Sequence, residues 1–505
     1  MPASASSRSR LGASLRAIAV AGFCCATLLP GSALAQTTAQ RQTFTVAWGG
    51  NYYGTLGAGY KGRTYGPAAT LVSNVREIAS AGSNYALLEN GTIDAWGANA
   101  FGQLGDGTHL AAWTPTPVSG ITEAVAVAAG QEHAMALLAN GTVETWGMNT
   151  FGTMGTGTSG HGKEIGDPSG LPIQVPGLSG VVAIASGGGE DAALLSDGTV
   201  ETWGANKAGQ LGDGTTVEKT TPTPALGLTH VKAIAVGGGG WNGHTLALLQ
   251  NGTVMAAGNN MIGELGTGDT VRATTFVPVP GLSHVVAISA DMTHSMALLE
   301  NGTVMTWGSD GNDELGIPAA PEQCFGTPCS TRPVPVSGLS DVSAISAGYR
   351  FSLALSDGKV YAWGWNTGGE MGSRSGREGR DQLLPIQVPL SGEAKAISAG
   401  WFSSLALTSE PGPPPPIEIT PGRGSLTVRW VESRETTVPW TVRWRPAGGS
   451  QNSWPRAQTV ELAPAARSYT ITGLSAEPYE VLIKNQAGQG SFRRKTIVGT
   501  PLAPQ

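Results

Sequence analysis

One unit, best seen at residues 125–155 (VAVAAGQEHAMALLANGTVETWGMNTFGTMG), recurs in modified form along most of the chain, and a fixed internal period of this length restricts the fold more than any local motif. A W-G-x-N signature starts at Trp48, Trp96, Trp146, Trp203, Trp307 and Trp363, with Asp310 closing the fifth of these, and a degenerate copy starts at Ala257, so there are seven. A second signature, A-L-L or L-A-L after an A-G-like pair, also occurs seven times, at Leu87, Leu137, Leu194, Leu248, Leu298, Leu355 and Leu407. The order matters: the series begins with a W-G that has no preceding partner, at Trp48, and ends with an unaccompanied L-A-L at Leu405, Ala406 and Leu407.

Each unit divides into four short strands. In one copy, residues 181–185 and 192–195 are β-rich apolar runs, and Asp197-Gly198 turns the chain into residues 199–203. Asn90, Asn140, Asn251 and Asn301, each followed by Gly, make the same turn elsewhere, because a two-residue hairpin needs positive φ. A fourth strand falls in proline-containing segments such as residues 172–176, and proline suits an outer edge. With 74 glycines and no sustained helical periodicity, long helices are excluded. Four-stranded units about 50 residues apart fit a β-propeller. The unpaired ends fit a closed ring, in which residues 44–48 and a following outer strand complete the blade begun by residues 394–407. The expected fold is all-β: a seven-bladed β-propeller followed by a β-sandwich.

The chain ends carry other information. Arg8, Arg10 and Arg16 precede an apolar run at residues 17–29 and an Ala33-Leu34-Ala35 cleavage site, the layout of a secretory signal, so residues 1–35 are set apart from the fold. That run is too short to span a bilayer, and no later stretch reaches the roughly 20 apolar residues needed, so the mature chain is expected to be secreted or periplasmic, with no membrane span. Cys24 and Cys25 leave with the signal; Cys324 and Cys329 read as a small disulfide loop, with free thiols as the alternative, and one C-x4-C pair falls short of a zinc site.

The balance of 30 basic against 36 acidic residues is uneven along the chain. Without the three signal arginines it is 27 against 36, a net of −9. Residues 413–505 hold 11 basic and 6 acidic groups, which leaves 16 against 30, or −14, for residues 36–412. Phosphate binding calls for clustered Lys and Arg, so nucleic acid is not an expected partner.

The pattern A-G-x-x-H-x-x-A-L…D/N-G-x-V-x-x-W-G-x-N-x-x-G-Q-L-G, clearest at residues 130–155, 187–212 and 291–316, resembles the regulator of chromosome condensation repeat and covers roughly residues 44–408. The resemblance implies a seven-bladed propeller used for protein recognition. The departures are Ala257 for the tryptophan, Asp310 for the asparagine, and several missing histidines. Residues 36–410 are then the propeller and 411–416 a stiff proline linker. Residues 417–505, with strands expected at 425–430, 441–444, 468–472, 479–484 and 492–497, look like a fibronectin type III module whose core would include Trp430, Leu474 and Tyr479. A spacer or adhesive role is what that second resemblance suggests.

Local chemistry offers little. His133, His244 and His294 share one repeat position, where Glu190, Phe351 and Ser403 stand in other copies; spread around a ring, they read as structural residues bonding between strands. Asp106 and Asp213 open Asp-Gly-Thr turns and cannot supply the 6 to 8 oxygens that calcium prefers. The G-x-G-x-x-G matches at Gly57 and Gly238 open no helix in a βαβ unit. No catalytic residue, metal site or cofactor is assigned. A buried carboxylate pair in the central pocket is the one enzyme route left open.

Strand direction is more informative. In an antiparallel blade the first–second and third–fourth connections emerge on one face. They carry Trp241, Tyr349, Arg350, Trp401 and Phe402 in the first type, and Tyr52, Tyr53, Phe101 and Phe151 in the second; Glu132 is a further variable position. Aromatic residues and arginine dominate binding energy when clustered at an interface, whereas Trp96, Trp146, Trp203 and Trp307 recur in register on a strand and should be core. The expected function is therefore that of an exported, non-enzymatic, monomeric protein that binds an extracellular or periplasmic protein through one propeller face. Within the repeat family, secreted bacterial propellers include a β-lactamase inhibitor, so inhibitor or receptor is the sub-case implied. The alternatives are a carbohydrate- or cell-wall-binding or glycan-active protein, and a guanine-nucleotide exchange or chromatin-binding propeller.

Overall fold

The computed structural model describes residues 43–61, 64–160, 169–373, 381–412, 417–430, 439–447, 457–477, 479–485 and 495–499. The expected signal segment, residues 1–35, and residues 413–416 of the expected linker lie outside the described residues.

Apart from a three-residue 3-10 turn at Thr150–Gly152, the described elements are strands. Seven antiparallel sheets follow one another as blades. The first comprises Val75–Ser80, Ser83–Leu88, Ile93–Gly97 and Ala112–Pro117. Blade two comprises Ala124–Ala129, His133–Leu138, Val143–Gly147 and Ser169–Gln174. Blades three, four, five and six begin at Val181–Ser186, Val231–Gly237, Val285–Ala290 and Val342–Gly348 and repeat the pattern. Blade seven is composite: Ala394–Ala399 and Ser403–Thr408 from the end of the series pair with Phe44–Gly49 and Thr64–Ser73 from its start. Phe44 lies opposite Thr408 and Gly49 opposite Ser403, so the ring is closed by strand pairing between chain regions far apart in sequence.

The recurring residues explain this architecture. Each inner strand is covered on both faces by neighbouring blades, which is why Ala126, Ala128, Ala183, Ala185 and Ala235 are small and buried. The signature tryptophans are fully buried, and their indole N–H groups latch each blade to the one before. Trp48 donates to the Glu370 carbonyl, Trp96 to Thr55, Trp146 to Gln103, Trp203 to Thr153, Trp307 to Glu264 and Trp363 to Glu314, all at 2.8 to 3.0 Å. The signature asparagine braces the following loop: the Asn99 carbonyl accepts the Leu104 N–H, and its amide donates to the Thr108 and Leu110 carbonyls. Asp310 keeps the accepting half of this pattern, from Leu315 N–H. At the opposite ends of the blades, Asn140 Oδ1 accepts from the Thr142 N–H and hydroxyl, closing the Asn-Gly turn. The expected two-residue turn is corrected: Leu138 N–H donates to the Thr142 carbonyl, so the loop has three residues and only its glycine, Gly141 at φ 79°, is left-handed, as are Gly91, Gly252 and Gly302 in the other copies.

The histidines bond between strands, and the strands that they join belong to neighbouring blades. His133 in blade two meets Asp191 in blade three at 2.9 Å, His244 meets Ser295 of blade five at 2.8 Å, and His294 meets Ser352 of blade six at 2.9 Å. The reason is register, since the first residue of each second strand faces the second residue of the equivalent strand in the next blade.

The C-terminal residues form two sheets. Ile417–Gly422, Ser425–Trp430 and Ser468–Thr472 make one. Trp440–Pro446, Gln458–Leu462, Tyr479–Asn485 and Lys495–Gly499 make the other, which Tyr60–Lys61 extends from within the propeller. Leu426, Trp430, Trp440, Leu474 and Tyr479 share an apolar cluster with Leu56, Ala58 and Tyr60 of the propeller. The C-terminal sheets are thus joined to blade seven by a strand pair and a common core.

Candidate protein-binding face

Inner loops join the first and second strands of each blade, and outer loops join the third and fourth. Backbone hydrogen bonds hold the two side by side: Met148 N–H donates to the Glu132 carbonyl at 2.9 Å, Ala205 to Gly189 at 2.7 Å, Trp365 to Arg350 at 2.8 Å and Gly50 to Phe402 at 2.6 Å. Both types therefore open on one face. Neighbouring inner loops also bond to one another, Gln131 N–H to the Gly187 carbonyl, Gly188 to Gly238, Tyr349 to Gly400 and Trp401 to Ala81, so the face has a rigid collar around the axis.

Four of the expected aromatic residues come together on blades six and seven. Phe402 is the hub, 5.4 Å from Tyr52, 6.0 Å from Trp401 and 6.1 Å from Tyr349 between ring centroids, and Tyr349 is 5.7 Å from Trp401. The Arg350 guanidinium lies 5.0 Å from the centre of the Tyr349 ring and also reaches Asn312 Oδ1 at 3.4 Å. Tyr52 and Tyr53 are 60% and 59% exposed, whereas Trp401, Phe402, Tyr349 and Arg350 are half-buried. Phe151 and Trp241 form a second pair, 6.4 Å apart, away from the hub. Phe101 joins neither group among the described ring contacts; its N–H donates to Gln103 Oε1 at 2.9 Å. Glu132 is half-buried, and burial raises its carboxyl pKa against the opposing pull of His133.

On the axis, a pocket is lined by Ala81, Gln131, Gly187, Gly188, Val236, Gly237, Gly238, Asp291 and Trp401. Asp291 is the only carboxylate in this lining, so the pocket lacks the pair that glycoside hydrolysis uses. Burial pushes the Asp291 carboxyl up to about 7. Ser186, His133 and Asp191 are in contact, but Ser186 Oγ and Asp191 Oδ1 both face the same ring nitrogen, Nε2, at 2.9 Å, and all three residues are buried. A nucleophilic triad places its serine and its carboxylate on opposite ring nitrogens. Cys324 and Cys329 are joined in a disulfide, so the cluster they make with Glu322 offers no thiolates to a metal. Among the described residues no helix is long and apolar enough to cross a membrane.

The model of the regulator of chromosome condensation (RCC1) repeat matches residues 90–137, 140–194, 197–248 and 357–407, and a second model of the repeat matches 124–153 and 342–370. The ultraviolet-B receptor UVR8 of Arabidopsis thaliana is 31% identical over 344 residues, which are 66% of this chain and 74% of the receptor. The chain belongs to the RCC1 repeat family. The human E3 ubiquitin-protein ligase HERC2 is 29% identical over 379 residues, 72% of this chain but only 8% of the ligase. Among solved structures, Prp20p of Saccharomyces cerevisiae superposes with a TM-score of 0.63 at 23% identity, covering 73% of this chain and 92% of Prp20p. Human WBSCR16 superposes with a TM-score of 0.62 at 23% identity, covering 72% and 98%. These two show the fold.

Aligning the RCC1 repeats on the structure exposes a residue that sequence reasoning missed. Trp365 occupies the x of W-G-x-N, where the other repeats have Gly50, Ala98, Met148, Ala205, Asn259 and Ser309. Its ring is 5.7 Å from Phe402 and 5.9 Å from Tyr349, so it completes the aromatic cluster. The contrast between copies that singles out Trp401 singles out Trp365 equally, but Trp365 is masked by its proximity to the core tryptophan Trp363.

Proposed function

We propose that this RCC1-repeat chain is an exported, non-enzymatic protein that binds an extracellular or periplasmic protein through the inner- and outer-loop face of blades six and seven. The observation that carries this reading is the contiguous cluster of Tyr52, Tyr349, Trp365, Trp401 and Phe402 with Arg350 stacked at its edge. Aromatic residues and arginine held in a rigid, partly desolvated patch are what concentrate binding energy at protein interfaces. Protein recognition by this fold has a precedent in the binding of Prp20p to Gsp1p and histones. The signal-like N-terminus and the excess of acidic residues in the repeat region favour an exported protein partner over chromatin.

The C-terminal sheets are read as a fibronectin type III-like β-sandwich. Trp430, Leu474 and Tyr479 lie in their shared core, and the Tyr479 hydroxyl returns to Ser475 Oγ at 2.9 Å, a local corner of the kind such sandwiches use. Its union with blade seven favours a fixed brace near the Tyr52 loop.

The test is capture. The mature chain, immobilised and exposed to culture-supernatant and periplasmic proteins, should retain a defined partner that Trp401→Ala loses. Retention of glycans on an array, with no protein captured, would move the assignment to the carbohydrate reading.

A further inference from the structure

Among the described residues, blade five differs from the other six in having a fifth strand. Its outer loop folds into a hairpin, Glu322–Cys324 against the start of Thr327–Pro335, with Glu322 opposite Cys329 and Cys324 opposite Thr327. The disulfide between Cys324 and Cys329 clamps it, and its base is tied down where Asp310 N–H donates to the Pro328 carbonyl at 2.7 Å and Thr331 N–H to Glu322 Oε2 at 3.1 Å.

The tip is Phe325-Gly326, with φ of 49° and 85°. Two-residue hairpins of this kind favour Asn-Gly or Asp-Gly, because a bulky side chain at positive φ is strained. Asp357-Gly358, with φ of 46° and 71°, closes such a hairpin in blade six, between the paired residues Ser356 and Lys359. At Phe325 the chain instead holds an aromatic ring that is 76% exposed, the largest value for a large hydrophobic side chain among the described residues. The conformation favours neither stability nor solubility, and strain that a covalent clamp maintains at a protruding tip is characteristic of a preorganised contact. The hairpin is an outer loop, so it rises on the aromatic face. The loop at its base carries half-buried Asp313, exposed Glu322 begins the hairpin, and Asp310 and Glu314 are buried beneath them.

We propose that the hairpin is a rigid finger whose tip, Phe325, enters an apolar pocket rimmed by basic side chains on the protein bound by this face. The apolar tip specifies the pocket, and the accessible carboxylates of Asp313 and Glu322 specify its rim. This inference rests on the reading of the face as a protein-binding surface.

The partner captured by the full mature chain is identified, and its affinity is measured for the wild type and for Phe325→Asn, Phe325→Leu, Trp401→Ala and the double variant Cys324→Ser/Cys329→Ser. Phe325→Asn should weaken binding by about tenfold or more while leaving Tm unchanged or raised, because it suits the turn. Phe325→Leu should fall between, the cysteine pair should weaken binding with Phe325 intact, and added salt should weaken the wild type. Wild-type affinity for Phe325→Asn, within about twofold, overturns the finger even if Trp401→Ala is impaired. A marked loss of Tm in Phe325→Asn also overturns it, since the ring would then be packed for stability. Unchanged binding in both Phe325→Asn and Trp401→Ala, or no capture at all, overturns the face reading and the finger together.

Discussion

The Phe276 ring rests against Gly212 so closely that a Cβ on that glycine would lie 2.3 Å from it. At the other six blade junctions the corresponding glycines, Gly57, Gly105, Gly155, Gly266, Gly316 and Gly372, face the indole of a signature tryptophan. Blade four has Ala257 in that place. Phe276 comes from the outer strand, at the register where Pro115, Pro222 and Pro333 stand in other blades, and fills the space that the missing indole leaves.

Phe276→Ala should therefore be costly although the ring lies near the rim. Truncating a buried aromatic costs about 3 to 5 kcal/mol, measurable as a shifted urea midpoint at constant slope. Ala257→Trp placed in that variant should recover part of the loss. No recovery would mean that the two rings do not share one site.

Two tryptophans that look alike in composition should separate by assay. Trp146 is fully buried and donates to Gln103, so Trp146→Ala should lose about 3 to 5 kcal/mol of stability. Trp401 is half-buried beside Tyr349 and Phe402, so Trp401→Ala should cost about 2 kcal/mol or more of partner affinity with little change in stability. Equal destabilisation by both would remove Trp401 from the interface.

The scaffold was legible in the sequence because its determinants recur: seven copies of one strand pattern define the ring, and the unpaired Trp48 and Leu407 point to the composite blade. Residues that depart from the repeat were harder to read. Trp401, Phe402, Tyr349 and Tyr53 stand out against small or polar equivalents; Phe101 and Phe151, which share the repeat position of Tyr53, lie apart from the cluster, since variability alone does not say which blades adjoin. Phe276 could not be read at all, because its role depends on a cavity opened by Ala257 on a different strand. The pairing of Tyr60–Lys61 with Lys495–Gly499 is equally invisible, because two residues carry no strand period.

Asp310 marks a position where charge is costly. Its carboxyl is pushed up from 3.8 to about 7, by burial first and then by Glu314 and Asp313, against the Leu315 N–H. A carboxyl with a raised folded pKa contributes stability that is fully present below about pH 3.8 and is lost as pH rises through 7. Asn at this site keeps the acceptor for Leu315, gains the donors that Asn99 uses, and has no proton to lose. Asp310→Asn should be more stable than the wild type at pH 8 by about 1 kcal/mol or more, and the gain should shrink towards pH 4. Equal gains at both pH values in chemical denaturation would refute the account.

The bridging histidines act in the opposite direction. Burial lowers the pKa of His244 from 6.5 to about 4 and that of His294 to about 3, His294 being lowered further by His244. A histidine kept neutral in the fold contributes stability that is present above its unfolded pKa of 6.5 and is lost as pH falls towards the folded value. Glu77, Glu264 and Asp291, all raised to about 7 by burial, gain over the same range, so the profile of the whole chain is flattened by compensation. A single variant exposes the histidine component. Gln can still bond to Ser352 but takes up no proton, so His294→Gln should be less stable than the wild type at pH 7.5, through imperfect packing. That deficit should narrow by about 2 kcal/mol at pH 5, the free energy of about 1.5 pH units of one proton. A deficit independent of pH would mean that His294 is not excluded from protonation by the fold.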